Sequence, residues 1–97
     1  MAQQPIKQPN KEDYEITFKE SARKELYSLP DKMVKRISVA IDALAENPRP
    51  PGVEKMKGKK ESLWRIKEGD YRVIYLIDDK VRIVNIRKVG NRRDIYD

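Results

Sequence analysis

The stretch LWRIKEGDYRVIY, Leu63 to Tyr75, alternates apolar and basic residues on either side of an acidic-glycine break. Alternation over five or more residues predicts a strand with one buried face. The Glu68-Gly69-Asp70 break predicts a hairpin joining two such strands. Its non-apolar positions are unusual in being cationic: Arg65, Lys67 and Arg72. A hairpin brings them together on a rigid element, an arrangement suited to phosphate.

Register follows from the turns. A two-residue loop at Glu68-Gly69 sets Lys67 opposite Asp70, Arg65 opposite Arg72 and Trp64 opposite Val73. A second two-residue loop at Asp78-Asp79 sets Arg72 opposite Asn85. Arg65, Lys67, Arg72 and Arg87 then share one face, with Leu63, Ile74 and Ile83 among them. Trp64, Ile66, Tyr71, Val73, Tyr75, Val84 and Ile86 take the other face and pack on helices. A one-residue slip would exchange the faces of a whole strand and drive Arg72 into the core, at a large desolvation cost. Opposing Arg65 with Arg72 is destabilising. A sheet built for stability alone would avoid it, so the pattern marks an anion site.

Outward from the hairpin, Tyr14–Phe18 (YEITF) alternates as a half-buried strand. Ala22, Leu26 and Leu29 fall on one face of a helix. Pro30-Asp31 breaks and restarts the chain, and Met33, Ile37, Ala40, Ile41 and Leu44 form the stripe of a second helix. So short a joint predicts an antiparallel helical hairpin. Asn47–Gly52 (NPRPPG) is a stiff connector. Val53–Glu61 (VEKMKGKKE) reads as a basic loop with little core content. Its Lys55, Lys57, Lys59 and Lys60 are either a solvated surface or a nucleic-acid footprint, as are the helix cations Arg23, Lys24, Lys32, Lys35 and Arg36. Lys80–Val89 is the last strand, ended by Gly90. The expected fold is α+β in the order β-α-α-β-β-β, an antiparallel sheet with the helical hairpin on one face. Residues 1–13 read as a disordered polar arm and 14–97 as a single domain.

Composition narrows the chemistry. The 97 residues carry a net charge of +6, and 39% of them are charged. From Met56 to Asp97, twelve Lys/Arg face seven Asp/Glu, so the strand-rich half holds most of the excess. That charge fits a polyanion partner, or simply a solubilising surface. Without cysteine there is no disulfide or thiolate chemistry, and without histidine no Ser-His-Asp triad or His-based zinc site. Asp78-Asp79 and Asp94 to Asp97 read as turn and terminus residues rather than a magnesium site. No apolar run approaches the ~20 residues that span a bilayer, and no signal peptide opens the chain. A cytoplasmic protein without cofactor, metal or membrane association is expected.

The run LWRIKEGDYRVIY followed by VRIVNIRKVGNRRDIYD resembles the RelE/ParE superfamily of toxin–antitoxin toxins. The similarity covers about Tyr14 to Asp97, and includes the loop KMKGKKESLW, GDYRVIY and a closing V-G-x-R…Y. Two activities share this scaffold. RelE-like members cleave mRNA in the ribosomal A site, whereas ParE-like members inhibit DNA gyrase. The resemblance implies catalytic roles for Arg65 (where lysine is usual), Lys67, Arg72, Arg92 and Tyr96. Lys55, Lys57, Lys59, Lys60, Arg87 and Arg93 become RNA- or ribosome-binding candidates. It also implies an acidic, partly disordered cognate antitoxin, with the 30S A site and mRNA as targets and gyrase as the alternative partner.

RNA cleavage by a 2′-hydroxyl needs a base, charge stabilisation and help for the leaving oxygen. Lys67 is the base candidate: a free lysine has a pKa of ~10.4, and neighbouring Arg65 and Arg72 would disfavour its ammonium. Arg65 and Arg72 would hold the non-bridging oxygens, and Arg92 the leaving oxygen. Tyr96 would stack on a base or orient the 2′-hydroxyl. Structural roles compete: Arg72 paired with Glu68 or Asp70, and Tyr96 pinning the C-terminus. The functions in contention are a ribosome-dependent mRNA endonuclease, a gyrase inhibitor, and a non-toxic basic binding module.

Overall fold

A computed structural model describes residues 12–58 and 62–95. Strand β1 (Glu15–Phe18) leads into helices α1 (Glu20–Tyr27) and α2 (Asp31–Ala43), followed by β2 (Glu54–Lys55), β3 (Leu63–Glu68), β4 (Tyr71–Asp78), β5 (Ile83–Asn91) and the one-turn helix α3 (Arg92–Ile95). The sheet order is β1-β5-β4-β3-β2. Strands β3 to β5 form the expected antiparallel meander, β2 extends it antiparallel beside β3, and β1 joins the far edge parallel to β5. The α+β class and the helical hairpin on one face are as the sequence indicates. Parallel β1, two-residue β2 and α3 add to that plan. No described helix is long and apolar enough to cross a membrane.

Helical periodicity sets the packing. Ala22 and Leu26 of α1 and Ile37 and Ile41 of α2 are buried, with Leu44 just beyond, against Ile66, Val73, Tyr75, Val84, Ile86 and Val89 of the sheet. Pro30 caps α2, its carbonyl accepting the N–H groups of Met33 at 2.8 Å and Val34 at 3.0 Å. Asp31 follows in the first turn, where the helix dipole favours a negative charge.

The register differs from the sequence reading at both turns. The β3–β4 turn is Gly69-Asp70, with Gly69 at φ +61. A positive φ at the first loop position alone is the type II′ pattern, which favours glycine there. Lys67 therefore lies opposite Arg72, Arg65 opposite Ile74 and Trp64 opposite Tyr75. A two-residue shift preserves the faces because side chains alternate with period two, so the cations stay grouped while the opposed pair changes. At the next turn Asp78 is still paired, with Ile83, and the loop runs over 79–82. The Asp78 carboxylate accepts the N–H groups of Lys80 and Val81, and Arg82 takes φ 56. A bulge then sets Tyr75 opposite Ile86 but Ile74 opposite Lys88. Arg72 consequently faces Gly90, not Asn85, and β5 continues through Gly90 to Asn91.

Two polar ties hold the connections. The hydroxyl of fully buried Tyr75 donates to the Pro48 carbonyl at 2.7 Å, fixing the proline-rich connector to the core. Asp79 accepts from Arg49 Nη2 at 3.0 Å and from the Tyr14 hydroxyl at 2.6 Å. Tyr75→Phe leaves the buried Pro48 carbonyl without this donor and should cost about 1–2 kcal/mol, read as a lower denaturant midpoint at unchanged slope. The Arg49 and then the Tyr14 hydrogen bond hold the Asp79 carboxyl below its ordinary range. The stability this supplies is complete above the unfolded aspartate pKa of ~3.9 and is lost as pH falls through the lower folded value. Asp79→Asn should therefore flatten the acid limb of stability against pH; an unchanged limb would rule this tie out as its source.

Candidate anion-binding face

The sheet face turned away from α1 and α2 carries the cations. Arg65 and Lys67 sit two residues apart on β3, hence on one side, and Glu54 of β2 lies directly across from Arg65. Arg65 Nε donates to Glu54 Oε1 at 3.0 Å, and Arg65 Nη2 bonds the same oxygen. Lys67 Nζ lies 3.4 Å from Glu54 Oε2. The Arg65 hydrogen bonds, with help from Lys67, hold the Glu54 carboxyl below the usual glutamate range. The sequence reading sets Arg65 and Arg72 beside Lys67 and Asp70 opposite it; the structure sets Arg72 opposite and adds Glu54, one carboxylate that bridges the Arg65 and Lys67 heads. Reading Val53–Glu61 as a featureless basic loop hid this acid. The signal was short: Val53 packs on the core and Lys55 lies beside Trp64, which leaves Glu54 facing the other way.

Arg72 is positioned differently. It is only 8% exposed, and its Nη1 donates to the carbonyls of Gly69 and Tyr71, each at 2.9 Å. Its Nε is buried without a hydrogen-bond partner among the described residues. Glu68, one of its two candidate acidic partners, bonds Arg36 instead, at 2.7 Å. The buried Arg72 guanidinium, bonded through Nη1 to two neutral carbonyls, stands opposite Lys67. Ile95 of α3 packs over the glycine opposite Arg72 on β5: a Cβ at Gly90 would meet Ile95 Cγ1 at 3.6 Å, an ordinary van der Waals contact. The Arg92 N–H donates to the Asp70 carbonyl at 2.8 Å, which anchors α3 to the hairpin tip. Arg92 and Arg93 are both exposed there.

The bulge at Arg87 brings two consecutive cations to one place. Arg87 and Lys88 line a depression of about 220 Å³ together with Lys19, Leu63, Ile74 and Ile95. Lys88 escaped the sequence reading because strict alternation would turn it inward. The clue was Val84, Ile86 and Val89, where the last spacing is three rather than two.

The remaining candidates separate from this face. Lys55 lies on the helix side of β2, its ammonium 5.8 Å from the Trp64 ring centroid, and the Arg49 guanidinium stands 4.9 Å from the same ring. Both are at cation–π range. Lys57 is exposed beyond β2. Lys59, Lys60 and Tyr96 lie outside the described residues. The structure therefore gathers Arg65, Lys67, Arg72 and Arg87 on one face, with Arg92 at its rim, and sets Lys55 apart.

The model of the family described as ParE toxin of type II toxin-antitoxin system, parDE, matches residues 16–96. Toxin RelG of Mycobacterium tuberculosis is 30% identical over 84 residues, covering 86% of this chain and 95% of that protein. The putative toxin RelE1 of Methanocaldococcus jannaschii is 29% identical over 86 residues, covering 86% and 94%. Among solved structures, the archaeal RelE-RelB complex from Pyrococcus horikoshii superposes with a TM-score of 0.73 at 32% identity, covering 82% of this chain and 96% of that one. The superposed fold and the near full-length matches lead to one conclusion: the chain belongs to the RelE/ParE superfamily of type II toxin–antitoxin toxins.

Proposed function

We propose that this RelE-like toxin is a ribosome-dependent mRNA endonuclease. The observation that carries the reading is the cationic group on the β3–β4 hairpin, where Lys67 opposes Arg72 and Arg65 lies two residues away on the same side. Opposed like charges cost stability in a sheet. A phosphate between them would offset that cost.

In this reading Lys67 accepts the proton of an RNA 2′-hydroxyl. The freed oxygen attacks the adjacent phosphorus, and the bond to the 5′-oxygen breaks, leaving a cyclic phosphate. Arg65 and Arg72 stabilise the charge that builds on the non-bridging oxygens. Arg92, fixed near the hairpin tip, stabilises the departing oxygen, and Tyr96 stacks on a base or orients the hydroxyl. Arg87 and Arg93, with Lys57, Lys59 and Lys60, meet backbone phosphates of message or ribosome. Lys55 would serve from the sheet edge. The ribosomal A site supplies the orientation that so small a site lacks. The partner in the resting cell is an acidic antitoxin; relatives crystallised as RelE-RelB complexes support this.

A second reading has its own support, since the matching family model is that of the ParE toxin. A gyrase inhibitor would use the same basic surface for binding without breaking a bond.

A reconstituted translation reaction with primer-extension mapping of message ends separates the two. Cuts within A-site codons are expected only when ribosomes are present. Lys67→Ala should reduce their rate by about 10²-fold or more, the usual contribution of a general base. The Lys67 side chain is 51% exposed, so its truncation should leave the fold intact. Intact message and normal translation, together with blocked supercoiling in a gyrase assay, would replace the nuclease reading with the ParE-like one.

A further inference from the structure

The placement of Glu54 goes beyond the activity just described, and rests on the reading that Arg65 and Lys67 meet phosphate. Both Glu54 carboxylate oxygens are engaged, Oε1 by Arg65 and Oε2 by Lys67. Two negative oxygens held between a guanidinium and an ammonium are what a backbone phosphate would also present to these side chains. We propose that Glu54 is an internal stand-in for the substrate phosphate, a selectivity residue that keeps free RNA off the Arg65–Lys67 pair.

Three features make it displaceable rather than a structural lock. Its side chain is 40% exposed, so the carboxylate returns to water when it lets go. It rides on a two-residue strand at the sheet edge, whose register pairs are Glu54–Arg65 and Lys55–Trp64. The Lys67 side chain is 51% exposed and can turn toward an incoming anion without unpacking the core. An RNA phosphate entering here trades one anion for another and gains little from the exchange. Random strands are thereby disfavoured. A strand presented by a ribosome at high effective concentration still displaces Glu54. Dependence on the ribosome would then be partly written into the toxin itself, as an anion that must be outcompeted.

The test needs no ribosome. Fluorescence anisotropy of a short labelled single-stranded RNA is measured across salt concentrations for the wild-type chain, Glu54→Gln and Glu54→Ala, with thermal unfolding recorded for each. Both variants should bind about tenfold more tightly at low salt, the worth of one charge-assisted contact. Their log K against log salt should steepen by about 0.7 for each further phosphate neutralised. The gain should vanish when Arg65→Gln and Lys67→Gln are added. Unchanged or weaker binding overturns the proposal, because a residue that merely positions Arg65 would weaken binding on removal. A gain that persists without Arg65 and Lys67 overturns it too, as an effect of overall charge. Unfolding of both single variants makes Glu54 a structural tie and also overturns it. The nuclease reading fails separately: tighter binding by Glu54→Gln with no ribosome-dependent cleavage by the wild type would remove the enzyme and keep the internal anion. Ribosome-dependent cleavage without a binding gain would do the reverse.

Discussion

The opposition of Lys67 and Arg72 at the centre of the cationic face depends on the two-residue turn at Gly69-Asp70. A hairpin this tight allows one pairing, and that pairing sets Lys67 against Arg72. Gly69 meets the backbone demand at φ +61, where any other L-residue would be strained. The Arg36 guanidinium lies over the same glycine: a Cβ there would meet Arg36 Nη2 at 3.5 Å, an ordinary van der Waals contact. From this position Arg36 holds Glu68 and so removes one acid from the reach of Arg72. One turn thus fixes the register and one choice of ion pair, and both leave positive charge concentrated beside Lys67.

That concentration is managed by dividing the cations among different partners. Arg72 is buried and bonds two carbonyls through Nη1, neutral partners that place no negative charge beside it. Arg65 and Lys67 share one carboxylate between two positive heads. At the opposite side of the sheet edge, Arg49 stacks over Trp64 and bonds Asp79, so it serves the connections rather than the face. Cations that look alike in sequence therefore divide into three kinds: buried against neutral partners, partly compensated, and structural.

Legibility in the sequence followed period. Strands β1, β3, β4 and β5, helices α1 and α2, and the division into faces were readable because apolar spacing of two, or of three and four, survives small errors in turn placement. The exact opposition was not readable, because Glu68-Gly69 and Gly69-Asp70 are both acceptable two-residue turns and backbone conformation decides between them. The bulge at Arg87 and the four-residue loop over 79–82 were hidden for the same reason: each depends on local dihedral angles, with Arg82 at φ 56 and Asp78 bonding its own turn. Of the candidate site, grouping by face placed Arg65, Lys67, Arg72 and Arg87 together. Glu54 was missed because a two-residue strand carries too little pattern to register, and Lys55 was misgrouped because neighbours on a strand point to opposite faces.

The parallel seam between β1 and β5 has a consequence for the order of events in the cell. Residues Glu15 to Phe18 find their sheet partners only at Ile83 to Ile86, and the Lys19 N–H closes onto the Ile86 carbonyl at 2.8 Å. Contacts so distant along the chain form late and slowly. During synthesis, β1 and the helical hairpin emerge long before β5 exists to receive them. Arg87, Lys88 and Gly90, which complete the cationic face, travel on that same last strand. A nascent chain accordingly carries an unfinished face, and an unclosed sheet, until β5 has left the ribosome that makes it.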